Sequence, residues 1–134
     1  MIAPHDRCLI VEDNFVILLD LEDMVKSMGF KSIDQASSLA QTMELLEKTR
    51  YRVVLLDLQL GSESSVPIVK ILKNQKIPFA ITTGYCVDDD RPSLLHGVPV
   101  IPKPYSVGTV NRILGDLLNP AQSASQPSGT PLQQ

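Results

Sequence analysis

Val53-Val54-Leu55-Leu56-Asp57 is the stretch that decides the fold. Four successive β-branched and leucine residues, with no polar alternation, predict a strand covered on both faces, the habit of parallel sheets in α/β proteins. Upstream the same unit recurs. Cys8-Leu9-Ile10-Val11 is a short apolar run ending at Glu12-Asp13-Asn14, residues suited to a helix N-cap. Leu18, Leu21, Val25 and Met28 then recur at three and four residues while Asp20, Asp23 and Ser27 share another face, so an amphipathic helix is predicted from Phe15 to Met28, stopped by Gly29 at C′. A weaker strand is expected from Lys31 to Ala36. Ser38-Leu39-Ala40-Gln41 has the form of a capping box opening a helix to about Thr49.

Downstream of Asp57, Gly61-Ser62-Glu63-Ser64-Ser65 reads as a loop, and Pro67 falls where a first helical turn accepts proline, followed by the apolar stripe Ile68, Val69, Ile71 and Leu72. Pro78 to Thr83 is a fourth strand candidate. Asp88-Asp89-Asp90, Pro92 and Gly97 leave room for only a short helix, from Ser93 to His96. Val98 to Ile101 is the fifth strand, running into Pro102-Lys103-Pro104, and Val107, Val110, Leu114 and Leu117 mark a last helix from Ser106. Residues 119–134 hold three prolines and no charge, so a disordered tail is expected after one domain over 1–118. Five alternations of strand and helix predict a doubly wound α/β sheet with right-handed crossovers. Pattern alone leaves the strand order open.

Composition narrows the function. The chain has 134 residues, suited to one core, and is 43% hydrophobic with 4% aromatics, so Val, Ile and Leu must build the interior. A net charge of −3 and the lack of any Lys/Arg run argue against nucleic-acid binding. Cys8 and Cys86 form no disulfide framework or metal-knuckle spacing, which suits a reducing compartment. The start has no signal-like apolar region, and no apolar run approaches the ~20 residues of a membrane span. A cytoplasmic protein with no membrane association is expected.

The chemistry gathers at strand ends. Glu12 and Asp13 follow the first strand, Asp57 ends the third, Thr83 ends the fourth and Lys103 follows the fifth. In open α/β sheets ligands bind outside the carboxyl ends, so these distant residues are expected to converge. Three neighbouring carboxylates would repel unless a cation neutralised them. Mg²⁺ suits carboxylates, water and phosphate oxygens in one shell. Lys103 then offers a point charge and Thr83 a hydroxyl donor for a phosphoryl group. Asp57, directly after the most buried strand, is best placed as nucleophile.

Glu12-Asp13, Asp57, Thr83-Gly84 and Lys103-Pro104, in that order and spacing from about Arg7 to Leu118, resemble the receiver domain of bacterial response regulators. The resemblance implies a (βα)5 flavodoxin-like fold with strand order 2-1-3-4-5, an order the general description of this fold already attaches to a chemotaxis receiver. It implies that Asp57 is phosphorylated, that Asp13, Asp57 and the main-chain carbonyl of Gln59 bind Mg²⁺ with Glu12 assisting through water, and that Thr83 and Lys103 hold the phosphoryl oxygens. Its donor would be a sensor histidine kinase or phosphotransfer protein, and its output a contact with a downstream protein, as a monomer or weak homodimer. Pro78-Phe79-Ala80-Ile81-Thr82-Thr83-Gly84-Tyr85 further resembles the alphaproteobacterial variant with a Phe-Ala-Thr-Gly-type motif.

Two departures stand out. Val100 occupies the place, three before Lys103, where most receivers carry an aromatic switch, so Gly84-Tyr85 is expected to relay Thr83 movement instead. The loop after Asp57 lacks a Pro-Gly pair. Gln59 and Tyr85 stand two places after Asp57 and Thr83, where receiver side chains control water access. Two other functions compete: a receiver-shaped interaction module that needs no phosphate, and a Mg²⁺-dependent aspartyl-nucleophile phosphatase. The second wants an acid two places after the nucleophile, and Gln59 cannot supply one.

Overall fold

A computed structural model of the chain describes residues 2–83, 93–103 and 105–119, with the side chains at 83 and 93 left out of account. The elements in chain order are β1 (Arg7–Val11), α1 (Phe15–Ser27), β2 (Ser32–Ala36), α2 (Leu39–Lys48), β3 (Val53–Asp57), β4 (Gln59–Leu60), β5 (Glu63–Ser64), α3 (Val66–Asn74), β6 (Phe79–Thr83), a 3-10 turn (Ser93–Leu95), β7 (Val100–Pro102) and α4 (Val107–Leu118). The main sheet is parallel, in the order β2-β1-β3-β6-β7. Counting only its five strands, that is 2-1-3-4-5.

β3 sits at the centre because nothing in it is polar before Asp57, and all five of its residues are buried. Its side chains alternate between two cores. Val54 and Leu56 join Leu9, Ile68, Leu72 and Ile81 on the face covered by α2 and α3. Val53 and Leu55 join Ile10, Leu21, Ala80 and Leu114 on the face covered by α1 and α4. Each such fully buried aliphatic side chain contributes about 2 kcal/mol.

The helix signals place α1 well. Asn14 caps it, its side-chain oxygen accepting from the Val16 and Ile17 N–H groups, and Gly29 leaves it at φ +116°, a conformation that favours glycine. Elsewhere the structure corrects the expectation. Gly61–Ser65 is no plain loop, because β4 and β5 pair antiparallel into a small hairpin turning at Gly61 (φ +61°). Ser38 caps α2 through the Gln41 N–H, but the Gln41 side chain accepts from the Ser37 N–H, so the capping box is not reciprocal. In α4, Val107 is 49% exposed and the buried stripe is Val110, Ile113, Leu114 and Leu118. Val107 is the first residue of the helix, beyond the edge of the core. The short fourth helix is a 3-10 turn, which leaves four α-helices among the described residues. The fifth strand begins at Val100 rather than Val98. The tail from residue 120 lies outside the described residues.

Candidate functional site

The site forms where β1 and β3 end side by side, Val11 pairing with Leu56, and where β7 delivers Lys103 beside them. Asp57 closes β3 and is 7% exposed; Glu12, directly after β1, is 1% exposed, while Asp13 beside it is open to solvent. Carboxylate oxygens of Glu12, Asp13 and Asp57 all lie within 4.8 Å of one another. That cluster is the convergence expected of residues 45 positions apart in the chain.

Main-chain donors hold each acid. The Asn14 N–H donates to Glu12 Oε2 (3.2 Å), the Gln59 N–H to Asp57 Oδ1 (3.2 Å) and the Gly61 N–H to Asp13 Oδ2 (2.8 Å). The last of these crosses from the hairpin turn to the end of β1. Lys103 Nζ lies 3.2 Å from Asp57 Oδ2, as a hydrogen bond, and 3.3 Å from Glu12 Oε1, as a charge contact without hydrogen-bond geometry. Glu12 Oε1 is thus buried with no hydrogen-bond donor among the described residues.

Titration behaviour follows from this crowding. Burial, then the Asp57 charge, push the Glu12 carboxyl above its usual range, against the pull of the Asn14 N–H and Lys103. Burial alone works to lower Lys103, but Tyr105, Asp57 and Glu12 outweigh it and hold the ammonium above the usual lysine range. A buried acid short of donors, in a cluster of three carboxylates, fits a hard divalent cation with oxygen ligands. Mg²⁺ is such a cation.

The remaining expected residues divide. Thr83 ends β6 beside the pairing of Asp57 with Thr82, but its side chain lies outside the described residues, as do Gly84 and Tyr85 altogether. Gln59 starts β4 and is exposed, its amide donating to the Gly61 carbonyl. Val100 opens β7 and packs, half-buried, against the core that holds Leu56 and Ile81.

Three neighbours of the site went unread in the sequence. Tyr105, two places after Lys103, carries a buried hydroxyl next to the buried Thr82 hydroxyl; the two are near enough for Thr82 to favour the phenolate, yet neither meets hydrogen-bond geometry among the described residues. Ser65 is fully buried, and its hydroxyl donates to the Asp57 carbonyl. A serine-rich loop offered no signal for one serine with a special partner.

Known proteins give the frame for this geometry. A family model described as "Response regulator receiver domain" matches residues 8–109. The polar-differentiation response regulator DivK of Brucella anthropi is 28% identical over 118 residues, covering 81% of this chain and 95% of DivK. The solution structure of SdrG from Sphingomonas melonis Fr1 superposes with a TM-score of 0.75 at 30% identity, covering 87% of this chain and 99% of SdrG. These relatives fit the resemblance to the alphaproteobacterial variant. A receiver domain of the Pseudomonas aeruginosa sensor kinase PA1611, at 23% identity and TM-score 0.74, covers 85% of this chain and 98% of its own, and supports the fold; that structure holds magnesium in its active-site cleft.

Proposed function

Because this chain belongs to the response regulator receiver domain family, we propose that it accepts a phosphoryl group on Asp57 from a phosphohistidine donor and signals through a protein contact biased by that modification. One observation carries the proposal: the Asp57 carboxylate stands among Glu12 and Asp13, within 4.8 Å, with Lys103 Nζ 3.2 Å from its Oδ2.

In this reading an Asp57 oxygen attacks phosphorus, an O–P bond forms, and the N–P bond of the donor breaks with its electron pair returning to the imidazole. The Lys103 ammonium, already paired with Asp57, takes up charge on the transferred oxygens. Asp13, Asp57 and the Gln59 carbonyl would hold Mg²⁺, with Glu12 behind them through water, and Thr83 would donate to a phosphoryl oxygen. When bound, the metal neutralises the charge of acids and phosphoryl group together. The Gln59 N–H on Asp57 Oδ1 keeps the carboxylate turned toward the site. The protein turns over no external substrate here, and its partners are a sensor kinase or phosphotransfer protein and a downstream protein. A cytoplasmic setting suits such partners, and no described helix is long and apolar enough to cross a membrane.

Intact-mass spectrometry after incubation with acetyl phosphate tests this. A Mg²⁺-dependent adduct of one phosphoryl group on wild type, absent from Asp57→Asn, is the expected result. No adduct on wild type from either acetyl phosphate or a phosphorylated donor would overturn it. A second reading, the phosphate-independent interaction module, is favoured by Val100, which gives β7 no ring to move. Partner binding indifferent to Asp57→Asn would select it.

A further inference from the structure

Ser65 occupies the N-cap position of α3 but makes no side-chain cap bond. Two features of the local sequence free its hydroxyl. Pro67 at the second helical position has no N–H to offer, and the Ile68 N–H at the third is taken by the Ser65 carbonyl at 2.9 Å. The Ser65 hydroxyl turns back instead and donates to the Asp57 carbonyl, while the Ser65 N–H donates to the neighbouring Leu58 carbonyl at 3.0 Å. One fully buried residue therefore fastens two successive carbonyls at the end of β3 and closes the base of the hairpin.

What that hairpin holds is the site. Between the fastened ends stand Gln59, whose N–H lies on Asp57 Oδ1, and Gly61, whose N–H lies on Asp13 Oδ2. The peptide linking Asp57 to Leu58 carries the fastened carbonyl, so holding that carbonyl fixes the course of the chain from Asp57 to the Gln59 N–H that lies on its carboxylate. Changing a group that orients a metal ligand from behind typically costs about 10–100-fold in metal affinity.

We infer that Ser65 is a positioning residue for the metal and phosphoryl site, acting through the Asp57 carbonyl. The inference rests on the reading of Asp57 as a metal-binding phosphoryl acceptor. A serine there is distinguished from a mere helix-capping or packing residue by what its loss does to cation affinity in a folded protein.

The test is a Mg²⁺ titration of the full chain followed by amide chemical shifts, on wild type and the variants Ser65→Ala, Ser65→Cys and Ser65→Thr, with thermal unfolding without metal to establish that each is folded. Ala should weaken Mg²⁺ binding on the order of ten-fold, whereas Thr, which keeps the hydroxyl, should stay within about three-fold of wild type. Should Ala fail to fold, Cys carries the test, since it nearly conserves volume while offering only a weak donor. A folded Ala or Cys variant with wild-type Mg²⁺ affinity would overturn the inference, as would a wild type that binds no Mg²⁺. Wild type that binds Mg²⁺ but takes no phosphoryl group sinks the acceptor reading alone, and the Ser65 result still stands or falls on its affinities.

Discussion

Lys103 Nζ bonds Asp57 Oδ2 at 3.2 Å, so a charge delivered from the end of β7 is tied to the last residue of β3 across the intervening strand β6. Removing that charge exposes the carboxylates to one another. In Lys103→Met, phosphoryl transfer from acetyl phosphate should slow by roughly a hundred-fold, the loss typical of one charge-stabilising donor. The Glu12 carboxyl should titrate higher still, because Lys103 is one of the groups holding it down. Time-resolved intact mass and carboxyl carbon NMR would check the two effects.

Glu12 gives a pH dependence of definite sign. Its folded-state value is raised above 4.5, so the native protein keeps that proton longer than the unfolded chain does. The stability it contributes is complete below pH 4.5 and is lost as pH rises through the folded value. Without metal, Glu12→Gln should therefore be more stable than wild type at neutral pH and the difference should vanish in acid. Denaturant unfolding at several pH values would reveal it; a variant less stable at pH 7 would contradict it.

Metal should reverse that cost. Mg²⁺ at roughly a hundred times its dissociation constant should stabilise the native state by about 2.7 kcal/mol. Asp13→Asn, which removes an acid from the cluster while leaving an oxygen for the Gly61 N–H, should lose most of the gain. Thermal midpoints with Mg²⁺ and with excess chelator measure both.

Tyr105→Phe removes a buried hydroxyl that has no hydrogen-bond partner among the described residues, so it should raise stability by about 1 kcal/mol at neutral pH. The variant also has an alkaline signature. Burial, opposed by the Thr82 hydroxyl and Lys103, pushes the Tyr105 phenol from 10.0 up to about 12, so its contribution is complete below pH 10 and lost as pH rises toward 12. Stability of Tyr105→Phe should fall less steeply across that window. Chemical unfolding between pH 9 and 12 tests the slope.

What the sequence disclosed follows from physics with a short range or a strong period. The unbroken run Val53–Leu56 announced a doubly covered strand because every one of its residues is buried. Asn14 and Gly29 announced the ends of α1 because caps depend on single residues. Strand order was not legible in pattern, since parallel pairing leaves no period of its own; it came only through the resemblance carried by Glu12-Asp13, Asp57, Thr83 and Lys103. The hairpin at 59–64 hid because strands of two residues show no alternation. The α4 stripe was right at Val110, Leu114 and the half-buried Leu117 but not at the exposed Val107, because a run rich in Val, Ile and Leu supports more than one apolar face, and only the sheet adds Ile113 and Leu118. Ser65 and Tyr105 matter through partners 8 and 23 residues away, at Asp57 and Thr82, which no local window contains.

The three main-chain N–H groups seated on Glu12, Asp13 and Asp57 have a kinetic consequence. Each acid already has one oxygen held by a main-chain N–H, so an arriving cation has less side-chain ordering left to impose. Its entry should then be limited by the shedding of its own hydration water rather than by any motion of the protein, and the receptive state would already exist before the ion is encountered.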